Sequence, residues 1–106
     1  MFDTGIDQSS TAPPLGVVVL EGDIDQPTAA RLDAELHGRI AVGTQVLVID
    51  VGQAHFLDRA GLEVLAAAAQ RLQDERSGSV VLRNADASLL RDLRLLRIDH
   101  VFELEI

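Results

Sequence analysis

The segment Phe56-Leu57-Asp58-Arg59-Ala60-Gly61-Leu62 concentrates the side chains best placed to do chemistry. Asp58 sits where a helix should begin. A carboxylate there accepts hydrogen bonds from the first free amides of the helix. Leu57 and Leu62 then fall at the N′ and N4 positions, the spacing of a hydrophobic staple. Cap and staple explain these three residues as architecture. The same turn also presents side chains at an exposed sheet edge, and a helix N-terminus attracts anions, so it reads equally as a surface that senses a partner or a phosphate. Arg59 adds a five-donor cation suited to a carboxylate. Its local alternative is an ion pair with Asp58 or Asp23.

A second constellation is Gly22-Asp23-Ile24-Asp25. Asp25 is placed to cap a first helix, and Asp23 to stabilise a turn. Thr28 is the hydroxyl nearest this loop, and Ser9, Ser10 and Thr11 are further candidates for modification. His37, His55 and His100 are far apart and lack the spacing of a metal pair, and no Gly-rich phosphate loop or Gly-x-Ser-x-Gly elbow occurs. The chain has no cysteine, which removes thiolate metal sites, disulfides and cysteine nucleophiles. No enzyme, metal site or cofactor is expected.

The elements that position these residues follow from periodicity. Residues 15–21 and 44–50 are short β-branched runs, predicted as strands, the first buried on both faces. Residues 22–25 turn the chain, and 51–57 form a short connection. Ala29, Leu32, Leu36 and Ile40 repeat at helical spacing over 26–40, with Pro27 tolerated in the first turn. A long helix runs over 59–76, with Leu62, Leu65, Ala69 and Leu72 as its apolar stripe. A strand at 79–82 leads through Asn84-Ala85-Asp86, a turn and cap, to a third helix. That helix has Leu89, Leu90, Leu93 and Leu96 inward and Arg91, Arg94 and Arg97 outside. A last strand holds 101–104. Strands alternating with helices predict an α/β layer with mainly parallel strands and right-handed crossovers.

The 106 residues suit one domain, with 1–14 as a flexible leader or short edge strand and 15–106 as the folded domain. Apolar residues make up 47%, enough for a core. The formal charge of −8 opposes nucleic acid and anionic membrane surfaces and favours a partner with a basic face. No apolar run is long enough to span a bilayer, so direct membrane insertion is not expected. The N-terminus lacks a basic start followed by an apolar run, so a cytoplasmic protein is expected. A free sheet edge admits a homodimer.

Residues 15–103 resemble the STAS-domain family of bacterial anti-sigma factor antagonists. The resemblance rests on Val-Val-Val-Leu-Glu-Gly-Asp-Ile-Asp at 17–25, Thr-Ala-Ala-Arg-Leu at 28–32 and Val-Leu-Val-Ile-Asp at 46–50. Phe-Leu-Asp-Arg-Ala-Gly-Leu at 56–62 and Leu-Leu-Arg-Ile-Asp-His-Val-Phe at 95–102 complete it. It implies a single STAS-like α/β domain, a four- to five-stranded mixed sheet with three to four helices packed on it. It also implies an anti-sigma factor or related kinase-fold protein as partner. The family's motif at the second helix is Asp-Ser-Ser-Gly, whose first serine the partner phosphorylates to break the complex. Asp58 and Gly61 match that motif. Arg59 stands at the phosphorylated serine's place and Ala60 at the second serine's, and neither accepts phosphate. The resemblance therefore implies a docking surface of Asp23, Leu57, Asp58, Arg59, Ala60, Gly61 and Leu62 without its ordinary switch. STAS domains also serve as regulatory subunits of membrane transport ATPases, including lipid transporters, and as sensors of small ligands. These are the alternative readings.

Overall fold

A computed structural model describes residues 2–6 and 15–105. The elements run β1 (Phe2–Ile6), β2 (Leu15–Ile24), α1 (Gln26–Ala41), β3 (Val46–Leu57), α2 (Arg59–Arg76), β4 (Ser79–Arg83), α3 (Ala87–Leu95), a 3₁₀ turn (Asp99–Val101) and β5 (Glu103–Glu105). The five strands form one mixed sheet in the order β1-β2-β3-β4-β5. β1 pairs antiparallel with β2, and the other three pairings are parallel. Of the proposed leader, residues 7–14 lie outside the described residues.

Each parallel pair is joined by a helix, because a parallel connection must recross the length of the sheet. α1 packs on α2, and both lie on β2, β3 and β4. Their stripes, Leu32, Leu36 and Ile40 on α1 and Leu62, Leu65, Ala69 and Leu72 on α2, meet Val18, Leu20, Leu47, Ile49, Val80 and Leu82 of the sheet in one core. Leu93 of α3 and Phe102 close its far end.

The sequence predicts β2 buried on both faces, and the structure corrects this. Val18 and Leu20 are fully buried under the helices, while Val17 and Val19 are half-buried on the other face. β3 carries the deeper position there. Val48 is 7% exposed because Val17 and Val81 flank it in register on both sides.

Two further corrections matter for function. Residues 22–25 do not turn the chain, and residues 51–57 are not a connection. β2 continues to Ile24 and β3 to Leu57, paired along their whole length. The polar and glycine residues that mimic a loop are absorbed as register irregularities between Val19 and Glu21 and between Gly22 and Asp23. Gly22 takes the left-handed backbone this needs, at φ 74°. β4 ends at Arg83, opposite Asp50. Beyond that point β2 and β3 project past β4 as a two-stranded ribbon.

The other end of α2 is fixed by a close approach. Ser77 adopts a left-handed conformation and donates its N–H to the Gln73 carbonyl, and Gly78 donates to the Leu72 carbonyl, which ends the helix. A Cβ on Gly78 would collide with the Gln45 carbonyl oxygen, to which Ser79 donates at 3.1 Å. Gly38, inside α1, has open space around it. Gly78→Ala is expected to lower unfolding stability by at least about 1–3 kcal/mol through overpacking. Gly38→Ala should raise it by about 0.4–1 kcal/mol. Urea denaturation of the two variants checks both signs, and equal midpoints would refute the contrast.

Candidate functional site

The ribbon ends at Ile24 and Leu57, which are paired in register. Each strand passes directly into a helix through one aspartate. Asp25 accepts from the Thr28 N–H at 3.2 Å and starts α1. Asp58 accepts from the Gly61 N–H at 2.9 Å and starts α2. The Asp58 N–H in turn donates to the Ile24 carbonyl at 3.2 Å, tying the second turn to the first. Two capped helix N-termini therefore stand side by side at one tip. Each carboxylate already occupies the favourable end of its helix dipole, where an outside anion would otherwise sit. This weakens the phosphate-sensing reading of the turn.

Gly61 permits the closeness of the two strand ends. A Cβ there would lie 3.1 Å from Ile24 Cγ2 and 3.2 Å from Leu57 Cδ2. Gly61 and Leu62 are buried beneath the turn, and Ala60 and Asp58 are half-buried. Leu57 is partly buried against the core at N′, with Leu62 at N4 as the staple spacing requires.

Arg59 is the outermost residue of the turn, with 76% of its side chain exposed. It pairs with neither Asp58 nor Asp23. Its Nε donates to Glu63 Oε1 at 2.8 Å, one helical turn on. Asp58 directs its carboxylate at the amide of Gly61, whereas the i, i+4 neighbour is in easy reach. Both partners are exposed, so the pair contributes about 0–1 kcal/mol, and Arg59 stays available to a competing carboxylate. Asp23 lies on the ribbon, opposite Phe56 in register, and is exposed. It makes no hydrogen bond or ion pair among the described residues. The ribbon thus gathers Asp23 and the 57–62 turn at one end of the sheet.

Thr28 is 8% exposed and lies under the α1 turn, which removes it as an accessible hydroxyl. Ser9, Ser10 and Thr11 lie outside the described residues. The histidines are dispersed. His37 bridges the two helices, accepting from Arg71 at Nδ1 (2.9 Å) and facing Asp33 through Nε2 (3.1 Å). Since arginine only donates, Nε2 carries the proton in this arrangement. His55 and His100 are exposed on separate elements. Among the described residues no three ionisable side chains are grouped to hold a metal ion, and no helix is long and apolar enough to cross a membrane.

The sequence reading missed the contribution of α3. Asp92, Leu95 and Leu96 face the α2 turn across a groove of about 330 Å³, with Leu57, Asp58, Arg59 and Leu62 opposite. A second cleft, of about 320 Å³, lies on the other side of Leu57 and Asp92 and includes His55, Asn84, Asp86 and Ser88. Leu95 carried a signal in sequence, because it falls off the Leu89, Leu90, Leu93, Leu96 stripe. The tip as a whole offers carboxylates, one guanidinium and an apolar groove, with no hydroxyl or thiol in the turn itself. That set suits recognition of a surface more than the making of bonds.

The chain is similar to known proteins. The anti-sigma-F factor antagonist RsfB of Mycobacterium tuberculosis is 34% identical over 91 residues, covering 84% of this chain and 73% of that protein. An anti-sigma factor antagonist from Mycobacterium paratuberculosis superposes with a TM-score of 0.77 at 26% identity, over 98% of this chain and 85% of the other. The anti-sigma factor antagonist SpoIIAA in its unphosphorylated form has the same fold, with a TM-score of 0.74 at 14% identity, over 96% and 89% of the two chains. The family model described as "Mlab, STAS domain" matches residues 9–105. Its span takes in the ribbon, the two capped helix starts and α3 alike, and the chain belongs to the STAS domain family.

Proposed function

We propose that this protein is a cytoplasmic interaction module of the anti-sigma factor antagonist type. It docks on an anti-sigma factor or related kinase-fold protein through the ribbon tip and is not switched by phosphorylation there. The observation that carries the reading is Arg59. It is the most exposed side chain of a turn whose cap, glycine and staple are all intact, and it stands where the resemblance implies a phosphorylated serine. A phosphoserine would bring close to −2 near neutral pH. Arg59 brings +1 and accepts no phosphate, so the turn never acquires the negative charge that breaks the complex. The names of the curated relatives favour this reading over a transport-ATPase subunit or a small-ligand sensor.

Arg59→Glu should weaken binding to the cognate anti-sigma factor at least tenfold, or about 1.4 kcal/mol. Arg94→Glu, exposed on the outer side of α3, should leave it unchanged. Titration calorimetry with purified anti-sigma factors from the same genome is the measurement. Equal affinity of wild type and both variants would place docking elsewhere. Asp58→Ala removes the cap and should cost about 1 kcal/mol of stability, read from thermal or urea melts. Incubation with the kinase-fold partner and ATP should leave residues 56–62 without phosphate by mass spectrometry. Phosphate on residues 9–11 instead would mean that the switch had moved.

A further inference from the structure

Leu95 stands out on the surface. Of the large apolar residues exposed among the described residues, Val42, Leu95 and Leu104, it is the one that borders the docking turn, and it is 74% exposed. Helical spacing puts Ser88, Asp92, Leu95 and Leu96 on one side of α3. That side faces the start of α2. Asp92 forms the ridge between the apolar groove and the polar cleft, since it lines both. Its carboxylate makes no hydrogen bond or ion pair among the described residues. Asp86, deeper in the cleft, already accepts from the Leu89 N–H at 2.8 Å. The arginine that lines the groove, Arg59, is held by Glu63, and neither Arg91 nor Arg94 belongs to either lining.

We infer that the groove and its ridge form a second, specificity-determining half of the docking surface. Its occupant is a segment of the partner protein that carries an apolar side chain beside a lysine or arginine. The apolar side chain enters between Leu57, Leu62, Leu95 and Leu96, and the cation meets Asp92. The inference rests on the docking reading above and extends it from α2 to α3.

Charge selects this occupant over the others. The chain carries 17 acidic and 9 basic residues, so a second copy approaches against net repulsion. An anionic lipid surface would meet the carboxylates of Asp58 and Asp92 at the groove mouth. A basic–apolar peptide segment satisfies both the unpaired carboxylate and the exposed leucine. An apolar anchor flanked by a charged contact is also how binding energy concentrates in protein interfaces.

The test uses the full chain and the purified anti-sigma factors of the same genome, by calorimetry at low and high salt. Leu95→Glu and Asp92→Arg should each weaken binding at least tenfold. Asp92→Asn should weaken it less and flatten its salt dependence. Leu95 is exposed, so its variant should keep the wild-type circular dichroism and melting temperature, which shows that folding is not the cause. If Arg59→Glu abolishes binding while Leu95→Glu and Asp92→Arg bind like wild type, the turn is the docking site and the groove inference falls alone. If no anti-sigma factor binds the wild type, both readings fall. Sedimentation supplies the last arm. Concentration-dependent self-association that Leu95→Glu abolishes, with anti-sigma factor binding intact, would assign the groove to a second copy and overturn the inference.

Discussion

The parallel pairing of β2 with β3 beyond residue 50 is the constraint on which the functional end of this molecule depends. Up to Asp50, β3 is held between two neighbours. Past it, β2 is its one strand partner among the described residues, and the ribbon leaves the sheet edge. A two-stranded ribbon is marginal by itself. It is held because each strand feeds a helix that is buried against the sheet. Ile24 is fully buried, and its carbonyl accepts from the Asp58 amide across the tip.

This arrangement explains why small residues gather at the tip. Gly22 takes a left-handed backbone beside the second register irregularity, where β3 carries the extra residue. Gly61 lets the first turn of α2 close on Ile24 and Leu57. Asp25 and Asp58 satisfy helix amides that would otherwise face solvent. The consequence is a tip whose two capping carboxylates are already engaged. Exposed on it are Asp23 and Arg59, with the groove against α3 beside them.

The two faces of the sheet divide the work. One face carries the core under α1 and α2. The other carries Val17, Val48 and Val81 in one row and Asp50, Arg83 and Glu105 in the next. Arg83 donates to Glu105 at 3.0 Å, and that carboxylate raises the pKa of the guanidinium further above its ordinary value. Asn84 bonds both oxygens of Asp50, which also accepts from the Gly52 amide. These contacts close the last sheet row just where the ribbon departs, and they separate the open face from the tip.

Much of this was legible from local chemistry. The caps at Asp25, Asp58 and Asp86, the extent of α2 and the leucine stripes follow from spacing alone, because a helix start and an apolar face are written in residues one turn apart. The family, too, was legible from ordered short motifs. The ribbon was not. Gly22, Gly52 and Gln53 look like loop residues, and only the pairing of β2 with β3 keeps this stretch within the sheet. Nor did the sequence disclose the partner of Arg59, since Asp58, Asp23 and Glu63 are all acidic and the choice depends on which carboxylate a cap has already claimed. The groove between α2 and α3 has its walls, Leu62 and Asp92 at the nearest, 30 residues apart in the chain, so no short window of sequence contains it. Local sequence thus determined that the Arg59 turn would exist, capped and without a hydroxyl. The tertiary structure decided what stands beside it, because neighbours across a sheet edge are set by packing of distant elements and not by spacing along the chain.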